Sequence, residues 1–156
     1  MSVTDNSDSS SDIVKNFITT LEANEKETAA NYLASAFTCT GWAPRPLYKD
    51  AFLNVMAGIK AGIPGLMFNL HNLHEPDVTT VTGTIQVAGY QSDSFILPEL
   101  GTPPIPQTAS SVSLPPQDVK FALDQSQITA MNVQHVPGGG VQGLLRQLGI
   151  DLTLSQ

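Results

Sequence analysis

Histidines are the residues with the most obvious chemistry in this chain, and two of the three, His71 and His74, fall within the stretch Met67-Phe68-Asn69-Leu70-His71-Asn72-Leu73-His74-Glu75-Pro76. Two imidazoles beside a carboxylate could hold a metal ion or relay a proton. Their spacing argues against both roles. A helical ligand pair falls at i and i+4, whereas strand residues three apart project to opposite faces. Phe68 and Leu70 form the more apolar set and should face a core, together with Asn72. His71 then points outward, and His74, of opposite parity, caps a turn before Pro76 and Asp77. His135 shares its parity with Met131 and Val133 and is also assigned to the outer face. The expectation is no metal site and no histidine base.

The elements that must position these residues can be read from periodicity. Ser11 or Asp12 is a helix N-cap, followed by Ile13, Val14, Phe17, Ile18 and Leu21 on one face. A second short helix runs from about Glu25, with Ala29, Tyr32 and Leu33 on its buried side, and the β-prone piece AFTCTGW follows. From Tyr48 to Ala61 the apolar residues Tyr48, Phe52, Val55, Met56 and Ile59 recur at helical spacing, and Gly62-Ile63-Pro64-Gly65 closes that helix. The period then falls to 2, which predicts strands over residues 66–73, 78–90, 111–123, interrupted early by Pro115-Pro116, and 128–136. The insert at 92–108 holds Pro98, Pro103, Pro104 and Pro106 and reads as a long loop or edge excursion. Pro137-Gly138-Gly139-Gly140 precedes a last helix over 141–148, with Leu144, Leu145 and Leu148 inward. Helices first and strands afterwards predict an α+β domain in which a curved antiparallel sheet packs on a helical layer. Residues 1–10 read as a disordered tail, and residues 11–156 as one domain.

Bulk properties exclude several partners. Seven basic against 14 acidic residues leave a net charge of -7, which opposes nucleic acid and anionic membrane surfaces. The single cysteine, Cys39, cannot close an internal disulfide and suits a buried, small, apolar role. The polar, acidic start lacks the cationic and apolar regions of a signal peptide, and no stretch approaches a membrane span, so a cytoplasmic location is expected.

The stretches GIPGLMFNLHNL and PDVTTVTGTIQVAGYQ, and above all the ending VPGGGVQGLLRQLGI, resemble the SnoaL-like polyketide cyclases. These share a broad fold with nuclear transport factor 2, ketosteroid isomerase and scytalone dehydratase. The resemblance covers roughly residues 12–150. It implies a cone-shaped, cystatin-like α+β fold with an apolar pocket between the sheet and the long helix, and a homodimer through the outer sheet face. It also implies an acid/base pair: a histidine ending the second long strand and an aspartate near the start of the third. Gly89 and Val119 stand at those positions here. Asp118 is one residue out of register and would need a β-bulge to turn inward. A ketosteroid-isomerase-like base is missing too, since Phe37 to Trp42 carries no carboxylate.

Strict alternation places Thr79, Val81, Gly83, Ile85, Val87 and Gly89 inward on the second strand and Val119, Phe121 and Leu123 inward on the third. On the fourth it places Ile128, Ala130, Asn132 and Gln134 inward. A slip of one residue would exchange the faces. The expected binding residues are therefore Trp42, Tyr48, Phe52, Met56, Phe68 and Leu70 as walls, with Asn72, Asn132 and Gln134 as neutral polar tips. Such a pocket would take a small, mostly apolar ligand carrying a carbonyl or hydroxyl. Two functions stay open. One is a cyclase, isomerase or dehydratase that needs no metal or organic cofactor; the other is a non-catalytic ligand-binding or dimerisation module. A protein-interaction role for the Pro-rich loop at 98–106 has only its composition behind it.

Overall fold

The computed structural model describes residues 9–150. Part of the expected tail, residues 1–8, and the end of the expected domain, residues 151–156, lie outside the described residues. Helix α1 (Ser10–Glu22) starts slightly before the sequence-based N-cap, because the Ser9 hydroxyl accepts from Asp12 N at 3.1 Å. Its Ile13, Val14, Phe17, Ile18 and Leu21 are buried, as the spacing predicts. A short α2 (Lys26–Asn31) follows; Leu33, expected on its buried side, instead opens strand β1 (Leu33–Thr40). After β2 (Leu47–Tyr48), α3 (Lys49–Gly62) buries Phe52, Leu53, Val55, Met56 and Ile59. Each such side chain contributes about 1.5–3 kcal/mol relative to exposure, and α1 and α3, with five apiece, together hold the helical layer on the sheet.

The remaining strands are β3 (His71–Asp77), β4 (Thr80–Ile85), β5 (Ala88–Tyr90), β6 (Ser111–Ser113), β7 (Gln117–Asp124) and β8 (Gln127–Val133), and α4 (Gly140–Gln147) follows them. Six form one sheet in the order β2-β1-β8-β7-β4-β3, while β5 and β6 form a separate pair. The expected antiparallel sheet holds except at β1 and β8, which run parallel. The antiparallel meander from β3 to β8 fixes the direction in which the chain returns beside β1. Pro76 lies inside β3, which is tolerable because β3 is an edge strand and a missing N–H there breaks no internal ladder.

Two predicted strands are each divided. Residues 78–90 split into β4 and β5, and Pro115-Pro116 separates β6 from β7, since neither proline can donate to a ladder. The stretch expected as a strand at 66–73 is irregular up to Leu70, with one isolated bridge from Met67 to Ala88.

The Pro-rich insert is packed down rather than free. Phe95, Leu97, Leu100 and Ile105 are buried, and Phe95 pairs with Ile105 through N–H···O bonds of 3.1 and 2.8 Å. It docks on α3 where glycines leave room. A Cβ on Gly62 would lie 2.1 Å from the Phe95 ring, and one on Gly58 would lie 2.8 Å from Leu97. Gln91, fully buried, staples the insert's two ends: its Nε2 donates to Asp93 O and Pro106 O, and its Oε1 accepts from Thr108 N and Oγ1.

Candidate functional site

Burial separates the two faces of the sheet. Toward the helices point Leu33, Phe37 and Cys39 from β1, Val81, Gly83 and Ile85 from β4, and Val119, Phe121 and Leu123 from β7. From β8 the inward set is Ile128, Met131 and Val133, which corrects the alternation expected there. The reason is a bulge: Ala122 pairs with Ala130 while Leu123 pairs with Ile128, so Thr129 is an extra residue. Beyond it every side chain changes face. Asn132 and Gln134, expected inside as polar tips, are exposed on the outer face. The Thr40 hydroxyl donates to Asn132 Oδ1 at 2.6 Å.

Asn72 is corrected for a related reason. Asn69 and Asn72 both have left-handed backbone, with φ of 52° and 57°, a conformation that asparagine tolerates better than most residues. These two residues break the alternation, and Asn72 is exposed on the outer face beside His74. Leu70 and Leu73, both half-buried, instead close over Gly83, where a Cβ would meet Leu73 Cδ2 at 2.8 Å. Asp118 pairs regularly with Thr84 and is exposed, so no bulge turns it inward.

Of the expected walls, Trp42, Phe52, Met56 and Phe68 are each at most 2% exposed. They belong to one hydrophobic core, in which Trp42 and Phe68 have centroids 6.0 Å apart and Phe52 lies 5.2 Å from Phe37 and 6.3 Å from Phe17. Tyr48 is corrected: it is 68% exposed, because its β2 position pairs with the outward Thr38 while Leu47 takes the buried one. Trp42 Nε1 is buried without an acceptor among the described residues.

Titratable groups around the interior are few. On the inner face of the sheet Cys39 is the one such side chain among the described strand residues, and burial pushes its thiol up to about 12, partly offset by the Trp42 backbone N–H. Lys60 is buried at the end of α3, where it donates to the Pro64 carbonyl. Desolvation lowers its pKa and the nearby Glu22 charge opposes the shift. Glu22 itself accepts from Phe68 N at 2.7 Å, so this pair pins the irregular chain after α3 to both helices. Sequence periodicity gave no sign of Lys60 as a buried residue, nor of Gln91 or Gln117. Gln117 is buried at the start of β7, where its Nε2 donates to Gln134 O and its Oε1 accepts from Gly140 N.

The outer face holds a hollow of about 640 Å³. Register lays its side chains in rows across the strands. Thr40, Asn132, Lys120, Thr82 and His74 form one row, and Asp118, Thr84 and His71 the next. The Thr84 hydroxyl donates to Asp118 Oδ1 at 3.3 Å, and His71 Nδ1 lies 2.6 Å from Asn69 O. The row beside these is small or aromatic: Tyr48, Thr38, Ala130, Ala122 and Thr80. Among the described residues no three His, Cys, Asp or Glu side chains gather as a metal site, and no helix is long and apolar enough to cross a membrane.

No family model and no curated protein matches the chain. Solved structures do. A SnoaL-like polyketide cyclase from Agrobacterium tumefaciens superposes with a TM-score of 0.61 at 16% identity, covering 81% of this chain and 90% of that one. An LEH-like epoxide hydrolase from M. tuberculosis gives 0.64 at 14%, covering 90% and 92%. A Catenulispora acidiphila protein with a ketosteroid isomerase-like fold, crystallised with trimethylamine, gives 0.63 at 12%, covering 92% and 97%. The chain therefore has the α+β fold of the SnoaL-like polyketide cyclases and ketosteroid isomerase-like proteins that its sequence resembles.

Proposed function

We propose that the protein is a non-catalytic module of this fold that pairs with a second copy of itself through the outer face of the sheet. The observation that carries this reading is the distribution of polar groups. Proton transfer needs a group with a pKa near the working pH inside the site. The inner face of the sheet offers hydrocarbon, Gln117 and a thiol held protonated. Hydrogen-bonding side chains collect instead on the outer face, where threonines and alanines lose little entropy when covered.

Charge supports a self-complementary contact. Asp118 and Lys120 stand two apart on β7 and share the outer face, so a two-fold axis between them would set each against its opposite on the partner. Six strands about 4.8 Å apart and a strand of eight residues give a face of roughly 600 Å² in projection, close to the ~800 Å² per partner of a standard interface. Sedimentation equilibrium at tens of micromolar should return twice the chain mass of 16.6 kDa, and Thr82→Lys, which sets a second cation beside Lys120, should return the single mass. A single mass for the wild type, or an unchanged double mass for the variant, would refute the pairing.

One observation favours a second reading. The unpartnered Trp42 Nε1 would be satisfied by a carbonyl or hydroxyl oxygen of a small apolar ligand inside the cone. Steroid- and polyketide-like ketones should then raise the melting temperature of the wild type and fail to raise that of Trp42→Phe.

A further inference from the structure

At one end of the sheet, next to the outer hollow at Thr40 and Asn132, the turn between β1 and β2 faces the turn between β8 and α4 across a second hollow of about 290 Å³. Its charge is opposite to that of the whole molecule. The chain carries 14 acidic and seven basic residues, yet among the described residues the hollow is lined by Arg45 and His135 and by no carboxylate. We propose that this hollow is a binding site for a small organic carboxylate.

Three features of the site suit that ligand. Arg45 stands between Pro44 and Pro46, whose fixed φ stiffens the turn, and its Nη2 donates to the Glu99 backbone carbonyl at 3.1 Å. That bond orients the guanidinium without neutralising it, since Arg45 makes no ion pair among the described residues. Most of its five N–H donors remain for a planar, bidentate partner. The second feature is electrostatic. Helix α4 starts at the same hollow, where Gly139 is its N-cap and Gln142 lies on the wall. Its first N–H groups are met by neutral acceptors, Gly140 N by Gln117 Oε1 and Val141 N by Trp42 O, and its first turn holds no acidic residue. Among the described residues the positive end of the helix thus meets no counter-charge and adds to the field of Arg45. The third is shape. Trp42 and the two prolines supply apolar wall, and the volume sits at the low end of small-molecule sites. A monocarboxylate with a compact hydrocarbon body fits these terms better than a hydrated inorganic anion.

The hollow borders the proposed pairing face at Thr40, so benzoate binding is measured on the wild type and on Thr82→Lys and should be the same in both. Binding to the full chain is followed by calorimetry with three probes: sodium benzoate, the neutral isostere benzamide, and inorganic phosphate. Benzoate should bind saturably and at least tenfold more tightly than benzamide or phosphate. Arg45→Gln and His135→Gln replace exposed side chains, and their urea midpoints should match the wild type. Arg45→Gln should weaken benzoate tenfold or more, and His135→Gln should weaken it by a smaller factor. No heat with benzoate, equal affinity for benzoate and benzamide, or wild-type affinity in Arg45→Gln would each overturn the proposal. Phosphate binding as tightly as benzoate would overturn the assignment to an organic carboxylate.

Discussion

Raising the pH above 9 should weaken the fold through Cys39. The thiol has an ordinary value of 9.0 and is pushed up to about 12 by burial. Between those values the unfolded chain releases a proton that the folded chain keeps, so stability falls as pH rises. One pKa unit corresponds to about 1.4 kcal/mol, which puts the loss at about 1.4 kcal/mol by pH 10 and about 4 kcal/mol once both states have titrated. Lys60 acts in the opposite direction, because its pKa is lowered from 10.5 and the unfolded chain therefore binds the extra proton. A comparison with Cys39→Ala removes that contribution, as Lys60 is present in both proteins. Urea unfolding at pH 8, 9 and 10 should show the wild type losing about 1.4 kcal/mol relative to the variant, with the cavity cost of the substitution constant across the series. A difference that stays flat from pH 8 to 10 would mean that the thiol titrates alike in both states. Water would then reach the inner face, and the argument that the interior is too dry and too poor in ionisable groups for acid-base work would fail with it.

Two further outcomes test the docking of the Pro-rich insert. Gln91→Ala removes all four hydrogen bonds that tie residues 93, 106 and 108 together and should cost about 2–3 kcal/mol, with limited proteolysis opening the chain within 92–108 first. Gly62→Ala forces a methyl to within 2.1 Å of the Phe95 ring and should cost about 1–3 kcal/mol; combining it with Phe95→Ala should cost less than the sum of the single changes, as a double-mutant cycle by urea unfolding would show.

The sequence announced most of the architecture because periodicity is a local property. The apolar faces of α1 and α3, the close of α3 at Gly62, the punctuation by Pro115-Pro116 and the final helix were all legible, and so was the curved sheet packed on helices. The parallel neighbourship of β1 and β8 was not, since it depends on where two segments some 90 residues apart meet. The buried polar residues were hidden for a similar reason. Gln91 and Gln117 are held by backbone groups 15 and 23 residues away, while Lys60 bonds the Pro64 carbonyl just past α3, a contact that exists only because the chain turns back there.

Four expected site residues, Tyr48, Asn72, Asn132 and Gln134, lie on the outer side, and for the three amides the causes decide the functional argument. Alternation assigns Asn72, Asn132 and Gln134 to a pocket, where each amide would need a partner or a ligand. One extra residue at Thr129 and the left-handed turns at Asn69 and Asn72 send all three outward together. The two effects are coupled in their consequence: among the described residues no asparagine stands on the inner face of the sheet, where Gln117 and the Cys39 thiol sit among hydrocarbon, and the outer face gains amides beside the threonines of β4 and the Asp118 and Lys120 charges. A pocket between sheet and helices needs its polar groups on the inner face, whereas a pairing surface needs them on the outer face in a register that a second copy can match. The bulge therefore removes Asn132 and Gln134 from the interior and adds them to the outer face at one stroke, and it does so through backbone geometry that no choice of side chain at either position could reverse.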